Sequence, residues 1–181
     1  MDKEERKNET GDDSISFPVF SDGSNDIRYV KGDATQPIGD GRKLLIHCCN
    51  DIGAWGAGFV MAISRKWKEP EVEYRKWSRG HAKGPKFELG QVQFVKVEDD
   101  IVIGNMVGQK GIRSQGGEPP IRYSAIVQCL EKVRDAAISN KASVHAPKFG
   151  SDRAGGKWSV IENHIKEILC ENGIKVTIYE L

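Results

Sequence analysis

The stretch Leu44 to Phe59, LLIHCCNDIGAWGAGF, constrains this chain more than any other: a short apolar run breaks at Asn50-Asp51 into a loop with three glycines around one tryptophan. The run has the length and bounding residues of a strand packed on both faces, although periodicity alone leaves a helical segment open. Gly53, Gly56 and Gly58 fall where a backbone turns tightly or approaches a ligand closely. A helical pattern from Phe59 to Trp67 begins at once, so the last loop amides stand at a helix N-terminus, where unpaired N–H groups and the dipole favour an anion. Strand, glycine loop and helix make the local order of a phosphate site. The loop is neither GxGxxG nor a Walker A sequence, so an ordinary α/β turn is the competing reading.

Composition narrows the classes. The 181 residues, 38% hydrophobic and 29% charged, fit one domain able to bury its own core. A net charge of +1 gives no strong nucleic-acid footprint. Cys48, Cys49, Cys129 and Cys170 show no CxxC or Cys/His ligand spacing, and no apolar signal region opens the chain. An intracellular, reducing compartment is expected, cytoplasmic or, in a eukaryote, nuclear. No apolar run approaches the roughly 20 residues that span a bilayer. Residues 1–26, rich in charge, Ser, Gly and Asp, read as a mobile tail in which only Ile15 to Phe20 can pack, as an extra edge strand or a covering loop. The domain is expected over 27–181, as a monomer.

Within it, Ile27 to Lys31 alternates as a strand and ends in Gly32-Asp33-Ala34-Thr35. A second helix is expected from Glu69 to about Arg79, with Trp67, Trp77 and the Met61 region on core faces. Strands at Gln91 to Glu98 and Ile101 to Val107 flank the Asp99-Asp100 turn as a hairpin. The loop from Gly108 to Pro120 carries four glycines, too long for a mere connector. An amphipathic helix follows over Ile121 to Ser139, then a short strand at Ser143 to Ala146. Pro147 to Gly156, PKFGSDRAGG, then leads into a helix from about Trp158 to Glu171, capped by Asn172-Gly173, before a closing strand at Lys175 to Leu181. The alternation predicts an α/β fold, a mixed sheet between helix layers, with ligands near the strand ends.

Two glycine loops, each opening a helix, suit a diphosphate better than either alone. Asp33 adds a carboxylate able to accept from the exocyclic amine of a purine. As residues alone, these imply a purine-diphosphate site.

The motifs GDAT at Gly32 to Thr35, HCCNDIGAWGAGF at His47 to Phe59 and PKFGSDRAGGKW at Pro147 to Trp158 resemble, in order and spacing, those of macrodomains, the ADP-ribose-binding α/β/α modules. The likeness covers about Ile27 to Leu181 and is nearest to bacterial single-domain macrodomain hydrolases, which share the NMVGQ strand end at Asn105 to Gln109 and the GGEPPIRY stretch at Gly116 to Tyr123. More distantly similar are the fungal ADP-ribose 1''-phosphate phosphatase, the terminal ADP-ribose protein glycohydrolase and the macrodomain of a chromatin-remodelling helicase. The resemblance implies a three-layer α/β/α fold with a mixed central sheet. It also implies an intracellular hydrolase removing mono-ADP-ribose from acidic side chains of modified protein, or splitting ADP-ribose esters, with no cofactor and no metal. A non-catalytic ADP-ribose reader and an ADP-ribose 1''-phosphate phosphatase are the alternatives.

Carried over by position, the resemblance gives Asp33 and the Ala34 backbone to adenine and Asn50 to the distal ribose. Trp55, Gly56, Ala57, Gly58 and Phe59 would clasp the diphosphate from one side, and Gly150, Ser151, Arg153, Ala154 and Gly155 from the other. Trp55 is expected to lid the phosphates, and Tyr179 to lie near the adenine. Gln109 stands where the glycohydrolase has its nucleophilic lysine, and an amide forms no Schiff base, although it could orient water. Asp152 stands where the branch carries glycine. Asp51 and Asp152 are the candidates for water activation, against a bland role capping turns. His47 matches a histidine used by the fungal phosphatase, against the common fate of a satisfied core histidine. Cys48 and Cys49 read as small core residues.

Overall fold

The computed structural model describes residues 26–181, so residues 1–25, with the Ile15 to Phe20 segment, lie outside the described residues. The apolar run becomes strand β2 (Lys43–Asn50), whose side chains alternate between two cores. Leu44, Ile46 and Cys48 pack on one face, and Leu45 and Cys49 on the other. The other strands are β1 (Arg28–Lys31), β3 (Val92–Glu98), β4 (Ile101–Gln109), β5 (Ser143–Pro147) and β6 (Val176–Glu180); the helices are α1 (Phe59–Lys66), α2 (Glu69–Ser78), α3 (Tyr123–Asn140) and α4 (Trp158–Ile168).

They form a six-stranded sheet in the order β1-β6-β5-β2-β4-β3, parallel except for β3, which returns antiparallel beside β4 as the expected hairpin. The core on the α3–α4 side is built from Ile126, Leu130 and Val133 of α3 and Ile161 and Ile165 of α4, at spacings that put them on one helical face. The core on the α1–α2 side is aromatic, with Trp67, Tyr74 and Trp77 all buried. These are the three layers and mixed sheet expected of the fold.

Two details differ from the sequence reading. The last helix stops at Ile168 and tightens into a 3-10 turn at Cys170–Asn172, which Gly173 closes at φ +77°. Met61 faces solvent, because α1 buries only Val60 and Ile63 of its eight residues. Among the described residues no helix is long and apolar enough to cross a membrane.

Topology brings the candidate residues to one rim. Five neighbouring strands run parallel, so their C-terminal ends share one rim. Along it come Asp33 after β1, Tyr179 in β6, the second glycine loop after β5, the first after β2, and Gln109 at the end of β4. Four strand spacings separate the two ends, roughly 19 Å at about 4.8 Å each, which suits an elongated ligand.

Candidate functional site

The first loop is held from beneath and behind. Asn50 Oδ1 accepts the N–H groups of Ile52 (3.1 Å) and Ala54 (3.0 Å), while Nδ2 donates to the Ala54 carbonyl (2.8 Å). Tyr74 of α2 donates its hydroxyl to the Asn50 carbonyl at 2.6 Å and lies 3.0 Å from Asn50 Oδ1. Asn50, expected at a distal ribose, therefore commits its amide to shaping its own loop and is itself buried. Trp55 is a correction of the same kind. The residue is 4% exposed, and its ring sits 5.4 Å from the His47 ring edge-on and donates Nε1–H to Ser64 Oγ at 2.8 Å, so the indole is floor and not lid. Packing favoured this outcome because a large apolar ring gains more from an aromatic core than from an open cleft.

What the loop offers a ligand is backbone. Gly58 takes φ +84° as the N-cap of α1, with no side-chain cap and no acid in the first turn. Among the described residues no hydrogen bond takes the N–H groups of Gly56, Ala57, Gly58 or Phe59. Gly56, Ala57 and Gly58 are exposed and Phe59 half-buried. An uncapped helix start with several free amides favours an anion.

The second loop faces it. Arg153, exposed, brings its Cδ to 3.7 Å from where a Cβ on Gly58 would stand. Gly150 (φ +76°), Gly155 (φ +74°) and Gly156 are all crowded, for example by Pro119 at 2.7 Å from a Cβ on Gly155. Ser151 closes the turn through Oγ to the Lys148 carbonyl at 3.0 Å, and the buried Ala154 accepts Ile121 N–H at 3.0 Å. Helix α4 also starts without a side-chain cap or first-turn acid. Asp152 is exposed; its carbonyl accepts Gly155 N–H, and among the described residues its carboxylate has no hydrogen-bond partner.

At the β1 end, Asp33 is exposed, with Oδ1 fixed by Thr35 N–H (2.9 Å) and Thr35 Oγ1 (2.8 Å) and Oδ2 left free, while Ala34 is buried beside it. A support that the sequence reading missed lies below: Tyr179 OH accepts Ile38 N–H at 2.9 Å and bonds His145 Nδ1 at 2.7 Å, tying the loop after Asp33 to β5 and β6. Burial lowers His145 to about 4, so it stays neutral there.

At the β4 end, Asp51 and Gln109 meet on Gly111: Asp51 Oδ1 accepts its N–H at 2.7 Å, and Gln109 Nε2 donates to its carbonyl at 2.9 Å. Both side chains thereby anchor the Gly108 to Pro120 loop, and each keeps one oxygen with spare acceptor capacity. His47 does not reach the rim. It is 1% exposed, its Nε2 bonds Asn105 Oδ1, and burial lowers its pKa to about 4, so the candidate catalytic histidine is a core group beneath Trp55. Burial likewise pushes the Cys48 thiol up to about 12, which leaves it no nucleophile.

No family model matches the chain. A solved macrodomain protein from Streptomyces coelicolor is 46% identical, covering 86% of this chain and 99% of that one, with a TM-score of 0.76. This chain belongs to the macrodomain family. Among curated proteins, the chromodomain-helicase-DNA-binding protein 1-like of Danio rerio is 32% identical over 93% of this chain, which spans only 17% of that relative's length. An ADP-ribose 1''-phosphate phosphatase of Candida albicans is 24% identical over 78% of this chain and 92% of its own.

Proposed function

We propose that this macrodomain binds ADP-ribose along the rim and hydrolyses the bond at its distal ribose, releasing ADP-ribose from acidic side chains of modified protein or from small ADP-ribose esters. The observation that carries the reading is that Arg153 of the second loop packs over Gly58 at the uncapped start of α1, which brings one guanidinium to several free loop amides, a set suited to a diphosphate. Asp33, at one end of the rim, offers its free Oδ2 to the adenine amine. Asp51 and Gln109 stand toward the other end of the rim, and Asp152 stands on the second loop beside Arg153, which packs over Gly58 of the first. Asp152 is the better base, because Asp51 already spends Oδ1 on Gly111. Water, deprotonated by Asp152, attacks either the ester carbonyl, where loop amides stabilise the oxyanion, the acyl C–O bond breaks and the ribose oxygen leaves with the proton returned by Asp152, or the anomeric carbon, where the C1''–O bond breaks and the carboxylate leaves with its negative charge. Gln109 has no amine, so the route is not through a lysyl adduct. The phosphatase among the relatives is consistent with the same ligand and a different leaving group.

Turnover of a glutamate-linked substrate, acetylated ADP-ribose and ADP-ribose 1''-phosphate tests this. Wild type should turn over at least one of them, borohydride should trap no covalent adduct, and Asp152→Ala should lower the rate by roughly 10²–10⁴ without weakening ADP-ribose binding. A loss seen in Asp51→Ala instead would move the base. Micromolar binding with no turnover on any of them would make the protein a reader. Binding itself is tested by Asp33→Ala, which should lose about 1.5–3 kcal/mol of ADP-ribose affinity in calorimetry; an unchanged affinity would remove adenine from that end.

A further inference from the structure

Helix α2 grips the first glycine loop at several points. Arg75 Nη1 lies 3.4 Å from the Gly53 carbonyl and Nη2 3.3 Å from the Trp55 carbonyl, and the guanidinium is held in place by Glu71 Oε1 at 3.2 Å from Nη2. The other carboxylate oxygen, Glu71 Oε2, accepts Ser64 Oγ at 3.4 Å, and Ser64 Oγ accepts Trp55 Nε1 at 2.8 Å. The result is a closed ring through Trp55, Ser64, Glu71 and Arg75 that holds Trp55 by its indole and by its carbonyl. In a trans peptide the carbonyl and the following N–H point opposite ways. The first clamped unit bears this out: Gly53 C=O meets Arg75 while Ala54 N–H, on the other side, meets Asn50 Oδ1 at 3.0 Å. By the same rule the clamp on Trp55 C=O turns the Gly56 N–H away from α2.

We infer that Arg75, braced by Glu71, is a positioning residue of the anion site: it fixes the peptide planes of residues 53–56 so that the Gly56 amide and those after it face the diphosphate. This rests on the reading of the rim as an ADP-ribose site, and it explains how a glycine-rich segment keeps its amides aimed before any ligand arrives. Lysine cannot replace the arginine, because a single ammonium cannot meet two carbonyls and a carboxylate in one plane.

The test compares Arg75→Met, which keeps the apolar stem, Arg75→Lys, and the conservative Glu71→Gln, using ADP-ribose, inorganic pyrophosphate and adenosine as probes in NMR titrations that follow the Gly56 amide. Arg75→Met and Arg75→Lys should weaken ADP-ribose and pyrophosphate by about ten- to a hundredfold and leave adenosine unchanged. Glu71→Gln, which keeps one acceptor for Arg75 and loses the charge, should weaken both by less than Arg75→Met. Equal weakening of all three probes would make Arg75 merely structural, and unchanged pyrophosphate affinity in folded Arg75→Met would also overturn the inference. Wild-type binding of pyrophosphate without ADP-ribose would sink the functional reading and leave the clamp testable. Binding of neither would sink both.

Discussion

The two glycine loops look alike as sequence and differ in what requires their glycines. In the first, a Cβ on Gly56 would meet nothing within 4 Å, and one on Gly58 would meet only the flexible Arg153 side chain. Only Gly53 is crowded, by Ser78 Oγ at 2.5 Å from the added Cβ. Side chains from α1 and α2 and from Asn50 shape that loop. In the second, an added Cβ would stand 2.4 Å from the Gly150 carbonyl oxygen at Gly156 and 2.9 Å from Ile121 and Ile161 at Gly150. Those glycines are demanded by the protein's own packing. A glycine pattern therefore has two causes, an empty approach kept for a ligand and a contact already filled.

The largest expected effect breaks the first loop's chemistry. Gly58→Glu should reduce ADP-ribose affinity by at least about a thousandfold, since a carboxylate enters the space of the free amides and repels the diphosphate. The strained φ should cost only about 1–3 kcal/mol of stability. Thermal melts with and without ADP-ribose read both halves, and a folded variant still stabilised by ligand would remove the anion from this loop.

The second loop should fail the other way. Gly156→Ala forces its Cβ onto a backbone oxygen that no side-chain rotation can move, and should cost about 3 kcal/mol, or roughly 6–12 °C in Tm. Near-wild-type melting would mean that the loop relaxes freely and that the packing argument is wrong.

The elements were legible in the sequence because each strand and helix carries its own period, and Gly32-Asp33, Asn50 to Gly58 and Gly150 to Gly156 were legible as loops because they interrupt it. Side-chain direction at the strand ends was not. His47 and Asn50 stand three residues apart on β2, and only the aromatic packing of α1 and α2 decides that one is sealed beneath Trp55 and the other is tied into its loop. Tyr74 and Arg75 escaped for a related reason: on α2 they read as ordinary core and surface positions, and their role comes from contacts more than 15 residues away in the chain. The chemistry of a carboxylate was easier to anticipate than its partners. Asp33 and Asp152 stayed exposed, while Asp51 was drawn into holding Gly111.

The smallest expected effect is the one that separates the two causes of glycine. Gly56 does not need a positive φ, and an added methyl there meets no protein atom. Gly56→Ala should leave stability within about 1 kcal/mol, and can raise it by restricting the unfolded chain. The same methyl sits on the residue whose amide is turned from α2 toward the anion, so ADP-ribose affinity should fall even as the melting temperature holds. A paired measurement of Tm and calorimetric Kd decides the matter. Lost stability with intact affinity would place Gly56 with the packed glycines of the second loop, and the contrast between the loops would collapse.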